Sequence, residues 1–253
     1  MEVNVFSNYE SLCAEVGKVI IQYIRQKPEA VICLASGHTP IGVFNYLVKE
    51  VKAGSADISS CTFVGLDEWL GIAASNPGSC RFLMNEFWFK PLQIPEPRIV
   101  FFDGMTADPH ADVSRVNQFI DNHRGLDIML AGIGLNGHLA MNEPGTPFHA
   151  KAHISLLAEE TKHTGQKYFS EATPLTKGIT LGLQHFRDAR LPILMANGKA
   201  KACIMKRALT VVPTEQLPAS VVQLMPHAKV MLDEEAAQEW NRHQWVQSGK
   251  SFL

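Results

Sequence analysis

The chain has 253 residues, 23 Lys plus Arg against 25 Asp plus Glu, a formal charge of −2 and 46% apolar residues, which excludes a disordered, collagen-like or coiled-coil protein. With no basic excess and no Lys/Arg run, no nucleic-acid partner is expected. No apolar run is long enough to span a bilayer, and Met1-Glu2-Val3-Asn4 lacks the basic-then-apolar pattern of an export signal, so no membrane association or secretion is expected.

Leu12, Val16, Val19, Ile20, Tyr23 and Ile24 recur at helical spacing after the polar Ser7-Asn8, which predicts an amphipathic helix ending near Lys27-Pro28. Residues 30–35 are a short continuous apolar run, read as a strand covered on both faces. Thr39 as N-cap and Pro40 in the first turn open a helix through about Val51. Residues 61–66 read as a second buried strand, 79–89 as a helix and 99–102 as a third strand. Residues 111–122 carry Val113, Val116, Phe119 and Ile120 on one helical face, and 127–131 form a fourth strand. The polar stretch 144–177 reads as irregular. Beyond it the pattern predicts a helix over 179–189, a strand over 191–196, a helix over 199–209, a helical turn at 220–224, a strand over 229–232 and a closing helix over 233–247.

This alternation, with strands apolar at successive positions, predicts an α/β fold: a doubly wound, mostly parallel sheet with helices on both faces. No linker or repeat interrupts residues 1–253, so one domain is expected. The five cysteines, Cys13, Cys33, Cys61, Cys80 and Cys203, are scattered and form no C-x-x-C pair. They read as small buried hydrophobes of a cytoplasmic protein, with no metal site among them.

In parallel sheets ligands bind beyond the carboxyl ends of the strands, so the segments after the strands are where chemistry is expected. Four of these are polar, charged or Gly-rich: Ser36-Gly37-His38-Thr39-Pro40, Asp67-Glu68-Trp69, Gly132-Ile133-Gly134-Leu135-Asn136-Gly137-His138 and Asn197-Gly198-Lys199. The first, leading into a helix, suits an anion such as phosphate, held by backbone N–H groups and the Ser36 and Thr39 hydroxyls; a plain capped turn is equally compatible. Lys199 could add a point charge to the same phosphate, or be a solvated surface group. A carboxylate at Asp67, partly buried against Trp69, suits a general base; alternatively Asp67 caps the next segment and Glu68 faces water.

The third segment spells G-x-G-x-x-G after a strand, a dinucleotide-binding fingerprint. That reading fails because Pro144 follows Gly137 by seven residues, too few for the long helix the fingerprint opens. What it leaves is His138, able to titrate near neutrality, with Glu143 five residues on to orient it or share its proton, and Asn136 and Asn142 nearby.

In this order, the motifs Ser-Gly-x-Thr-Pro, Leu-Asp-Glu-Trp, Gly-Ile-Gly-x-Asn-Gly-His-Leu-Ala-x-Asn-Glu-Pro-Gly and Gly-Lys-Ala resemble the glucosamine-6-phosphate deaminase family across roughly residues 30–232. Residues 27–37, the Asp-Glu-Trp variant and residues 178–183 look most like its galactosamine-6-phosphate deaminase/isomerase branch. The resemblance implies ring opening of an aminohexose 6-phosphate, aldose-to-ketose isomerisation and release of ammonia, with no metal or organic cofactor and a small-molecule sugar phosphate as partner. Homo-oligomerisation is left open. By the same resemblance Asp67 takes the C2 proton and returns it at C1, with Glu68 in support as a substrate-contacting residue. His138 passes a proton to the ring oxygen, and Glu143 holds or recharges it. Ser36, Gly37, the His38 backbone, Thr39 and Lys199 bind phosphate.

Asn136 stands where well-known members carry Asp; it can accept a hydrogen bond from imidazole but not stabilise imidazolium by charge, which shifts that task to Glu143. Lys167 aligns with a phosphate-binding Arg of some members and is a secondary candidate. The related 6-phosphogluconolactonases typically carry Asp-Glu-Arg and Gly-His-Thr-Ala-Ser, so Trp69 and Asn142-Glu143-Pro144 argue against that alternative. A sugar-phosphate sensor would normally add an N-terminal helix-turn-helix, for which the first thirty residues hold no basic recognition helix.

Overall fold

The computed structural model describes residues 1–247. Among the described residues the strands, in chain order, are β1 (Glu2–Phe6), β2 (Val31–Leu34), β3 (Thr62–Gly65), β4 (Asp67–Trp69), β5 (Ile99–Val100), β6 (Ile128–Ala131), β7 (His153–Leu156), β8 (Lys177–Thr180), β9 (Leu191–Ala196) and β10 (Lys229–Asp233). The α-helices are α1 (Tyr9–Gln26), α2 (Ile41–Lys52), α3 (Cys80–Met84), α4 (Pro109–Asn122), α5 (Glu159–Gly165), α6 (Leu183–Asp188), α7 (Ala202–Thr210) and α8 (Glu234–Gln247).

Seven strands form one sheet in the order β1-β10-β9-β6-β2-β3-β5, and every neighbouring pair is parallel. Its central strands are apolar at every position because each face has its own core. Val31 and Cys33 of β2 join Val64, Met129 and Leu194 on one side, packed with α4 and α7. Ile32 and Leu34 join Phe63, Ile128, Leu130 and Ile193 on the other, under α1, α2 and α3. The twofold period of a strand thus sends alternate residues to opposite layers. Helix α1 starts where the sequence indicates: Asn8 and Ser11 form a reciprocal capping box, and Leu12, Val16, Ile20 and Ile24 are buried.

At the amino ends of the central strands the buried carboxylate of Asp127 accepts from Lys27 Nζ (2.8 and 2.9 Å), Arg190 (3.2 Å), the Tyr23 hydroxyl (3.1 Å) and Val31 N–H (2.8 Å). This clamp satisfies an otherwise costly buried charge and ties α1, β2, β6 and the start of β9 at the end of the sheet opposite the Gly-rich loops.

Several expectations are corrected. Residues 2–6 form the edge strand β1, paired along β10. The stretch 144–177 is not irregular throughout: β4, β8 and β7 make a second, antiparallel sheet, and α5 lies between β7 and β8 in the chain. Residues 179–180 end β8, and the helix expected over 179–189 is confined to α6. The helix over 79–89 is α3 followed by a π-helical turn at Asn85–Phe89. Cys13, Cys33, Cys61 and Cys80 are buried, but Cys203 is exposed on the outer face of α7. No helix among the described residues is long and apolar enough to cross a membrane.

Candidate active site

From β2 the chain builds outward to β3 and β5, then crosses back to lay β6 on the other side of β2 and continues through β9 and β10. The direction of growth reverses between β2 and β6. Loops leaving adjacent strands at such a point run apart and open a crevice. The four segments singled out in the sequence follow β3, β2, β6 and β9, which are neighbours in the sheet; the first three send residues into one cleft of about 330 Å³, and after β9 it is Ala200 and Lys201, just past the fourth segment, that line it.

Ser36, Gly37, His38 and Thr39 all line this cleft. Gly37 has φ +97°, and a Cβ there would sit 2.9 Å from the Tyr168 hydroxyl, so the turn requires glycine. Thr39 does not cap α2 as expected; the N-cap is Pro40, with no side-chain capping bond. The loop is instead braced by Tyr9 of α1, whose hydroxyl donates to the Thr39 carbonyl (2.8 Å) and accepts from Gly42 N–H (2.9 Å). An uncapped helix start beside two hydroxyl side chains retains its capacity for an anion.

Alternation along β4 separates Asp67 from Glu68. Asp67 and Trp69 line the cleft, whereas Glu68 points to the opposite face. Its carboxylate accepts from the Ser79 hydroxyl (2.7 Å) and from the N–H groups of Trp69, Cys80 and Arg81 (2.9, 3.0 and 2.9 Å). Glu68, 1% exposed, is a fastener for the start of α3. Its expected contact with substrate is corrected. Asp67 is 8% exposed, and burial, helped by the nearby Glu68 charge, raises its pKa from 3.8 to about 7 against opposing hydrogen bonds from Cys80 and Ser36.

The glycines of the third loop serve the imidazole. A Cβ on Gly134 would lie 2.3 Å from the His138 ring, and Gly137 takes φ +90° where its Cβ would strike Leu217. Ala140 is held at φ +54°, a strained value for a residue with a side chain. The loop is fixed by the Asn142 amide, which donates to the Leu139 and Leu181 carbonyls at 2.8 Å each. His138 lines the cleft, and the buried Glu143 lies beside it, Oε2 3.6 Å from Nδ1. Asn136 does not accept from the ring. Its amide donates to Glu143 Oε2 (2.8 Å) and its oxygen accepts from the His138 backbone N–H (3.1 Å). An Asp at 136 would place two carboxylates together; Asn donates instead. Burial pushes the Glu143 pKa up, but the neighbouring His138 and Thr161 and the Asn136 amide outweigh it and hold the group below the usual carboxylate range.

Lys199 is corrected: it is exposed and lies outside the cleft lining, while Lys201 lines the cleft. Lys199–Lys201 is a 3₁₀ turn, in which two residues rotate a side chain by roughly 240°, so the two lysines leave different sides of the turn. Lys201 Nζ donates to the Ile133 carbonyl at 2.6 Å, and burial, with Lys167 nearby, lowers its pKa to about 8. Lys167 also reaches the cleft, with Nζ 5.0 Å from the Tyr168 ring centroid. Tyr168 stacks on His38 at 4.9 Å. Thr161, Tyr168, Lys201, Cys80 and Tyr9 are among the residues around the site that the motifs did not mark. Only Lys201 had a local signal, the second lysine of Gly198-Lys199-Ala200-Lys201.

A carboxylate poised near neutrality, an imidazole with a carboxylate behind it and a cationic, helix-headed end suit proton transfer on a small phosphorylated substrate. Residues 7–232 match the sequence pattern of the family described as glucosamine-6-phosphate isomerases/6-phosphogluconolactonase. The chain is 33% identical over 231 residues to the glucosamine-6-phosphate deaminase of Geobacillus sp. (strain WCH70), covering 91% of this chain and 92% of that one. Among solved structures, a monomeric glucosamine-6-phosphate deaminase superposes with a TM-score of 0.91 at 32% identity, over 94% of this chain and all of its own. The 6-phosphogluconolactonase of Trypanosoma cruzi gives 0.77 at 20% identity over 94% and 96% of the two chains, a likeness of fold alone.

Proposed function

The chain belongs to the glucosamine-6-phosphate isomerase/6-phosphogluconolactonase family, and from that membership we propose that it is an ammonia-releasing isomerase of aminohexose 6-phosphates, acting on glucosamine 6-phosphate and on its C4 epimer galactosamine 6-phosphate. The observation that carries this reading is the convergence of Asp67 and His138 on one cleft whose rim holds the α2 loop and Lys201. Deaminase over lactonase rests on identity across nearly the full chain, 33% to a deaminase against 20% to a lactonase. The galactosamine epimer rests on the sequence resemblance to that branch.

In this mechanism the phosphate is held by the Ser36–Thr39 backbone and hydroxyls and by Lys201, and its binding energy orients the reacting carbons. His138 takes the proton of the anomeric hydroxyl as C1=O forms and the C1–O5 bond breaks, and returns that proton to O5. Asp67 then removes the C2 proton. The C2–H electron pair becomes the C1–C2 double bond, and the carbonyl oxygen is protonated. Return of the proton from Asp67 to C1 moves unsaturation to C2=N; water adds at C2 and ammonia departs, leaving the ketohexose 6-phosphate. A base near its operating pH serves both halves of this transfer.

Incubating the protein separately with glucosamine 6-phosphate, galactosamine 6-phosphate and 6-phosphogluconolactone, with ammonia and acid measured, tests the reading. Ammonia should appear from both amino sugars. Lactone hydrolysis without ammonia would overturn it, and ammonia from glucosamine 6-phosphate alone would remove the epimer from it. Glu143→Gln preserves shape but removes the charge behind His138; kcat should fall at least about tenfold with KM little changed, on the scale of one charged hydrogen bond. Kinetics matching the parent would show that ring opening does not lean on Glu143.

A further inference from the structure

Between β7 and β8 the 3₁₀ turn Gln166–Tyr168 is held from both sides. The Gln166 side-chain amide accepts from Thr173 N–H at 3.0 Å and donates to the Thr173 carbonyl at 2.8 Å. On the other side Phe169 sits over Gly78, where a Cβ would lie 2.3 Å from its ring, and packs edge-on to Trp69 with centroids 6.5 Å apart. Tyr168, between these anchors, stacks on the His38 imidazole at an interplanar angle of 18°. Its ring is thus positioned by the fold itself.

This position puts the Tyr168 hydroxyl over the anion loop. Its oxygen is 2.9 Å from where a Cβ of Gly37 would stand, so the space that a side chain would fill is taken by a phenol oxygen. Tyr168 lines the same cleft as Ser36, Gly37, Thr39 and Lys201. Its proton has no acceptor among the described residues. Burial pushes the phenol up to a pKa of about 12, so the group stays a donor through the neutral range, and a bound dianion would hold that proton more firmly still. An uncommitted O–H standing over a loop that heads a helix is matched by an anionic oxygen.

We propose that Tyr168 is a phosphate-binding residue: its hydroxyl donates to a terminal phosphoryl oxygen of the substrate from the segment joining β7 to β8, while the loop after β2 and Lys201 after β9 hold the same group from the larger sheet. This rests on the reading of the substrate as a sugar phosphate, but the phosphate affinity it predicts can be measured without turnover. The stack gives the His38 ring a part beyond that of its backbone, since it keeps the phenol over Gly37. A donor already in place spends no ordering entropy when the phosphate binds.

The test compares the parent with Y168F, which keeps the ring, its stack and the packing of the turn but lacks the oxygen. Inorganic phosphate is titrated against the Gly37 amide signal in ¹⁵N spectra, and ammonia release from glucosamine 6-phosphate reports kcat and KM. Y168F should bind inorganic phosphate about tenfold more weakly and show a KM raised by a similar factor, with kcat within about twofold, as expected for one hydrogen bond lost to a charged group that is held equally in ground and transition states. In the parent, the ¹³Cζ signal of Tyr168, assigned by its loss in Y168F, should move with the same saturation as Gly37. Parent-level phosphate affinity in Y168F, a Cζ signal that phosphate does not move, or a fall in kcat at unchanged KM would overturn the inference. A parent that binds phosphate through Tyr168 yet releases no ammonia would overturn the deaminase reading and leave the role of the tyrosine standing; an ammonia-releasing parent with an unchanged Y168F would overturn the tyrosine alone.

Discussion

Replacing Asp67 with Asn should abolish turnover and raise the stability of the fold at neutral pH. Loss of activity follows from its role as the only base proposed for the C2 proton: an amide cannot take it, and a positioned general base contributes roughly 10²–10⁴ in rate. Phosphate-dependent binding should survive, because the α2 loop and Lys201 are untouched. The stability gain follows from burial. The folded-state pKa, about 7, lies above the ordinary 3.8. Below about pH 4 the carboxyl is protonated in both folded and unfolded chains, and the shift costs nothing. As pH rises through the interval the unfolded chain ionises first, so stability is progressively lost until the folded group also ionises near 7. Above that the parent carries a penalty of up to roughly 4 kcal/mol. Asp67→Asn removes the titration, so its melting temperature should exceed the parent's by up to about 8–16 °C at pH 8, with the difference vanishing near pH 4. Parent-level turnover would remove Asp67 from the mechanism; a stability gain independent of pH would show that burial of its charge is not the cause.

How much of this site could be read in the sequence depends on where the information sits. Continuous apolar runs such as residues 30–35 and 191–196 mark strands buried on both sides, and the polar segments after them mark the carboxyl edge, so the cleft follows once the sheet order is known. The order itself is long-range pairing and leaves no local trace. β1 was not legible because an edge strand needs only partial burial, and Glu2-Val3-Asn4-Val5-Phe6 is too short for its alternation to stand out. β8 is stabilised by pairing with β4 on one side and β7 on the other, and Lys177-Gly178 is a poor start for a strand read alone. Tyr168 depends on that pairing, and nothing beside it in the chain points to Gly37. Glu68 illustrates a different limit. The Asp-Glu pair was visible, but which carboxylate faces the cleft is set by the pleat of β4, a property of the second sheet and not of the motif.

The lysines offer a sharper contrast, since chemically identical groups two residues apart should behave oppositely. Lys201→Ala should lower kcat/KM for the amino sugar phosphate about 100-fold, mainly through KM, on the scale of a charge-assisted bond in a partly buried site; Lys199→Ala should stay within about twofold. Of the three donors on Lys201 Nζ, one is committed to the Ile133 carbonyl, which aims the ammonium along the cleft and leaves two for phosphate oxygens. Its pKa of about 8 adds a signature. The acid limb of kcat/KM should fall as Asp67 is protonated near 7, and the alkaline limb should fall as Lys201 loses its charge near 8, giving a narrow bell for the free enzyme. Lys201→Arg keeps its charge throughout that range, so the alkaline limb should move upward even if the maximum is lower. An alkaline limb left in place by this substitution would belong to the substrate or another group, and equal losses in the two alanine variants would show that the phosphate does not bind at the inner lysine.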